Sequence, residues 1–129
     1  MKILSTTCAG LMIAAGTLTL AAFNITAAET KGQTIASLYQ NKDSLAGKKI
    51  SAQGKVVKVN NKIMGRNFLH IQDGTGAAAA GTNNLVVTSK QTAAVGDQIS
   101  ITGVAVLNRD FGYGYFYPLL IEDASISTK

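Results

Sequence analysis

Residues 48–60 read KKISAQGKVVKVN, and this stretch decides the architecture. Ile50, Ala52, Gly54 and Val56 alternate with polar residues, which is the period-two pattern of a half-buried β-strand. Val57 and Val59 fall on the opposite parity, so the buried face must change sides between Gly54 and Val57. A glycine beside such a switch predicts a bulge or a sharp coil within one long strand.

The strands that follow are shorter and separated by turn residues. Asn67–Asp73 is predicted as the second, closed by Asp73-Gly74-Thr75-Gly76. That tetrapeptide reads as a hairpin turn, because glycine supplies the positive φ a tight turn needs. It is not a phosphate loop, since no Gly-Lys-Ser/Thr follows. Asn84–Thr88 is the third strand, and Asp97–Leu107, with Ile99, Ile101 and Gly103 in phase, is the fourth. Tyr115–Ile126 is the fifth, where Pro118 implies an edge or a bend. GAAAAG (76–81) and Gln91–Val95 read as connectors. Upstream, Thr34 is placed to cap a short helix bearing Ile35, Leu38 and Tyr39, and a second turn is expected from Asp43 to Gly47. Periodicity alone predicts an all-β barrel or sandwich. Five strands with a coiled, glycine-broken first strand are the pattern of a Greek-key OB-fold barrel.

The N-terminus carries a different signal. Met1-Lys2 is followed by an uncharged, small and apolar run from Ile3 to Phe23, then by Thr26 and Ala28 at the two positions a signal peptidase reads. The expected organisation is a signal peptide at 1–28, a tail and short helix at 29–47, and a barrel at 48–129. The expected location is periplasmic or secreted, with no membrane span in the mature protein. Cleavage after Ala28 also removes Cys8, the single cysteine. Disulfides, thiol redox chemistry, thioether haem attachment and cysteine metal sites are then excluded. Loss of Lys2 leaves eleven Lys and Arg against seven Asp and Glu, a mildly basic balance compatible with an anionic partner. About 100 residues bury roughly two thirds of their unfolded surface, enough for one core but not for a large internal cavity.

In order and spacing, GKKISAQGKVVKV, NFLHIQDGTG, VGDQISITGVAV and RDFGYGYFYPLLIEDASI resemble a family of small exported bacterial OB-fold proteins. That family is described as nucleotide- or nucleic-acid-binding, and some of its members accompany cytochrome systems. The resemblance covers about residues 45–127. It implies a five-stranded barrel that binds a ligand and performs no catalysis.

Candidate binding residues come from parity and from the flanking loops. Leu69 and Ile71 are the core pair of the second strand, so Phe68, His70 and Gln72 should point off the barrel. The outer face of strands two and three, bordered by the 1–2 and 4–5 loops, is where OB-folds take ligands. The first loop, Lys58–Arg66, carries Lys58, Lys62 and Arg66, and the second, Asn108–Tyr115, carries Arg109, Phe111, Tyr113 and Tyr115; Lys62, Arg66, Arg109, Phe111 and Tyr113, with Phe68 and His70, are the candidate ligand residues. Cations interleaved with rings suit a nucleotide or single-stranded nucleic acid: the rings stack and the cations meet phosphate. The plainer alternative is that the aromatics pin a long loop to the barrel.

Metal binding is the other alternative. Met64 and His70 are soft ligands suited to Cu(I), and exported OB-fold copper chaperones use such residues. Those chaperones carry further Met and a Trp, which the mature chain lacks. An accessory role in copper or cytochrome and haem assembly, or a protein-interaction domain, stands beside the nucleotide reading. No cofactor is expected. Enzyme signatures are missing: there is no nucleophile elbow, and the Asp110-Phe111-Gly112 triplet lacks every other kinase element. Glu122 and Asp123, adjacent on a strand, should face opposite sides as solvated residues.

Overall fold

The computed structural model describes residues 32–129, so the expected signal segment lies outside the described residues. Two short helices, α1 (Ile35–Gln40) and α2 (Lys42–Leu45), precede five strands. These are β1 (Lys49–Ile63), β2 (Arg66–Gln72), β3 (Leu85–Ser89), β4 (Gln98–Asp110) and β5 (Phe116–Thr128). They close into one barrel in the order β1-β2-β3-β5-β4. All pairings are antiparallel except β3 with β5. The described residues therefore form a mostly β closed barrel, one of the two architectures that the alternation of apolar residues allows.

β1 makes the closure. Its first half pairs with β4 from Lys49↔Val104 to Lys55↔Gln98, and its second half pairs with β2 from Lys55↔Gln72 to Ile63↔Arg66. Lys55 is the handover, with a partner on each side. The predicted break is present: the β1–β2 register slips between Val56 and Lys58. Val57 is pushed outward, and Val59 returns to pack on the core. Gly54 is required at the crossing, because a Cβ there would sit 2.8 Å from the Gln72 carbonyl oxygen.

Inward residues form one cluster: Ile50, Ala52 and Val56 of β1, Leu69 and Ile71 of β2, Leu85 and Val87 of β3, and their partners from β4 and β5. Ile35 and Leu38 of α1 complete it. The Thr34 hydroxyl accepts from the Ser37 amide as expected of an N-cap.

The predicted hairpin turn at Asp73-Gly74-Thr75-Gly76 is corrected. Those residues open a longer connection, through a 3₁₀ turn at Ala78–Ala80, that reaches β3 at Leu85. Asp73 accepts from the Ile35 amide at 2.9 Å and Thr75 Oγ1 from the Ala36 amide at 2.9 Å. With Thr34, these bonds satisfy the first three amides of α1, which no intrahelical carbonyl can reach. Burial raises the Asp73 pKa, but hydrogen bonds from the Thr75 hydroxyl, the Ile35 amide and the Thr75 amide outweigh it and hold the carboxyl below its usual range.

The segment expected as the 1–2 loop is also different. β1 runs on to Ile63 and turns into β2 through Met64 and Gly65, both at positive φ (53° and 78°), the geometry of a two-residue hairpin. Lys58–Arg66 is thus a stiff two-stranded ribbon projecting beyond the barrel.

Candidate functional site

The outer face of β2, β3 and β5 is covered rather than bare. Phe68 points off the barrel, as its parity requires, yet it is only 4 % exposed. It forms a second apolar cluster with Val86 and Leu120, roofed by Phe111 and Tyr117. The Phe68 and Phe111 rings meet edge to face at 5.5 Å, and Phe111 and Tyr117 do so at 5.9 Å. Such offset contacts are the favoured geometry of aromatic pairs. The β4–β5 connection can fold back this way because Gly112, Tyr113 and Gly114 all adopt positive φ (85°, 55° and 83°). Asp110 steadies the turn by accepting from the Gly112 amide at 2.8 Å.

Between this connection and the β1–β2 ribbon lies a groove of about 460 Å³. Phe68 forms part of its lining, Phe111, Tyr113, Tyr115 and Tyr117 line it from the β4–β5 side, and Lys58, Asn60, Ile63 and Met64 line it from the ribbon. Of the expected site residues, Phe68, Phe111 and Tyr113 are therefore brought together. Lys62 is exposed on the ribbon at positive φ (62°), with its amide donating to the Asn67 side-chain oxygen. Lys58, Tyr115 and Tyr117 are further lining residues. Lys58, expected in the first loop, lies instead within β1 and lines the groove from the strand.

Arg66 and Arg109 share the Glu122 carboxylate, which strand parity alone assigns to solvent. Arg66 Nη1 donates to Glu122 Oε1 at 2.8 Å, and Arg109 Nε lies 3.7 Å from Glu122 Oε2. Glu122 is largely buried between them. The Arg109 guanidinium also lies 4.7 Å from the Phe111 ring centroid, a cation–π distance. The cluster leaves a net single positive charge and ties the aromatic connection to β2 and β5.

His70 stands apart from the groove. It is half-buried opposite Lys58 on β1 and Val86 on β3, with the Asn84 amide nitrogen donating to its Nδ1 at 3.0 Å. Asn84 also accepts, through its carbonyl, from the Tyr39 hydroxyl at 2.7 Å. His70 thus fastens β2 to the connection that carries α1. Burial first, then the Lys58 charge, lowers its pKa below the ordinary 6.5, so the ring is neutral at pH 7. Met64 sits at the ribbon tip, and His70 is four residues along β2 from Arg66, roughly 13 Å at strand rise. The two are not brought into one coordination sphere. Among the described residues no three His, Cys, Asp or Glu side chains cluster at metal-binding distance.

No protein-family model matches the sequence, and comparison with characterised proteins finds no relative.

Proposed function

We propose that this chain is an exported, non-catalytic OB-fold module that binds a ring-bearing anionic ligand, a nucleotide or a short single strand of nucleic acid. The strand order β1-β2-β3-β5-β4, with β1 shared between two partners and β3 parallel to β5, supports the OB assignment. The single observation that supports the ligand class is the groove: four rings on the β4–β5 side and Phe68 beside them meet Lys58 across 460 Å³. Aromatic faces accept any base by stacking, and a nearby ammonium accepts phosphate. Few charges line the groove and Arg66 and Arg109 are already paired, so stacking supplies most of the affinity and the salt dependence is shallow.

The test is a titration of a fluorescent single-stranded oligonucleotide and of a mononucleotide at two salt concentrations. Binding that weakens modestly with salt and is lost in Phe111→Ala supports this function. No binding at either salt concentration overturns it.

A further inference from the structure

Five of the seven large apolar side chains exposed among the described residues gather at two adjacent hairpin tips: Ile63 and Met64 on the β1–β2 ribbon, Tyr113, Tyr115 and Phe116 on the β4–β5 connection. Tyr113, at the rim of the groove, is 99 % exposed, so most of its ring faces solvent. Met64 and Tyr113 also hold left-handed backbone conformations, where Gly or Asn would be easier. Bulky apolar residues are kept at two positions that disfavour them both locally and by exposure.

The charge behind these tips is net positive. From Asp43 to Asp73 the chain has no acid, while the ribbon bears Lys55, Lys58, Lys62 and Arg66. On the other tip, Asp110 is engaged with the Gly112 amide and Glu122 with two arginines. An apolar apex with a cationic collar is complementary to a bilayer whose headgroups are negative. Tyrosine in particular is suited to the headgroup level, with one end apolar and the other wet. The exposed apex offers on the order of 500 Å². That is short of the ≈ 800 Å² per partner of a stable protein interface. A fluid apolar phase, unlike a protein pocket, needs only that the tips protrude.

We infer that the two tips form a docking surface for an anionic phospholipid bilayer, with Ile63, Met64, Tyr113, Tyr115 and Phe116 entering the headgroup–acyl boundary and Lys58 and Lys62 against lipid phosphates. The chain then lies on the surface by loop insertion.

The chain has no tryptophan, which makes a clean reporter available. Tyr113→Trp in the full chain is mixed with phosphatidylglycerol–phosphatidylcholine vesicles, and separately with phosphatidylcholine alone. The expected result is a blue-shifted emission, quenched by brominated lipid, with the anionic vesicles only. Val95→Trp, in the β3–β4 connection beside Val56, stays unshifted and so separates tip insertion from anchoring by the N-terminal apolar run. Adding Met64→Asn, which suits the left-handed turn, raises the lipid needed for half the shift about fivefold. Phe116→Trp repeats the measurement from an ordinary strand position if Tyr113→Trp fails to fold. No shift at either Tyr113→Trp or Phe116→Trp overturns the inference, as does an equal shift at Val95→Trp or with neutral vesicles. A shift produced by oligonucleotide and not by vesicles also overturns it, while upholding the groove reading.

Discussion

Replacing Glu122 by Gln should weaken the fold and strengthen binding of an anionic ligand at the same time. Glu122 holds Arg66 at 2.8 Å and Arg109 at 3.7 Å. Gln keeps an acceptor for Arg66 but removes the charge. The two arginine side chains are roughly a third to a half exposed, so solvent screening holds the stability loss to about 1 kcal/mol. For a domain of this size that lowers Tm by about 4–8 °C. The effect on binding has the opposite sign. A negative charge removed about 7 Å from a bound phosphate in a watery medium is worth about 0.6 kcal/mol. That is close to a threefold gain in affinity for a single-stranded oligonucleotide at low salt. The log–log salt slope should also steepen by about 0.7 for each arginine released to the ligand. Thermal melting and fluorescence anisotropy at three salt concentrations read both effects on one preparation. A folded variant whose affinity falls, or whose salt slope stays unchanged, refutes the view that Glu122 masks cations bordering the ligand groove.

Three further outcomes follow from particular contacts. Gly103→Ala should cost about 1–3 kcal/mol in denaturant unfolding, because its Cβ would lie 2.8 Å from both the Glu122 carbonyl oxygen and Ile121 Cγ2; an unchanged midpoint contradicts this. Asp73→Asn should cost about 1 kcal/mol at pH 7 by loosening the α1 cap. The folded Asp73 pKa is depressed, so its contribution is full above the ordinary 3.8 and is lost as pH falls through the folded value. The gap between variant and parent must therefore narrow as pH falls below 3.8, and a gap that does not change with pH excludes the mechanism. His70, the only histidine, should titrate by NMR with a midpoint below 6.5. Its stabilising effect is full above 6.5 and declines as pH falls toward the folded value, because the unfolded chain takes up the proton first. A midpoint at or above 6.5 contradicts the buried clasp with Asn84.

What could be read from sequence was whatever repeats locally. The alternation of Leu69 and Ile71 against Phe68 and His70 assigns faces on β2, and the parity slip near Gly54 marks the bulge that bends β1. Contacts between distant residues were not legible. Glu122 reads as a solvated strand residue until β3 and β5 pair and bring Arg66, 56 positions earlier, within 2.8 Å. Phe68 reads as an open ring because nothing near it in sequence covers it; its roof arrives from Phe111 once three consecutive residues turn left-handed. Asp73-Gly74-Thr75-Gly76 carries genuine turn chemistry, but its side chains serve amides 38 and 39 residues away. The ribbon tip was missed because Met64 is an unusual occupant of a position that favours Asn or Gly.

The shared pairing of β1 also governs the order in which the barrel can assemble. Lys49 has no partner until Val104 is available, and β4 in turn takes its second neighbour from the thirteen residues of β5, up to Ile99↔Thr128. No closed sub-barrel exists for a partial chain to settle into. An emerging chain can pair β1, β2 and β3 locally, but the barrel stays open until β4 and β5 are present, and closure is slow because the closing contacts are distant in sequence. A barrel wired this way keeps a gap between β3 and β4 for as long as β5, which joins them, is withheld.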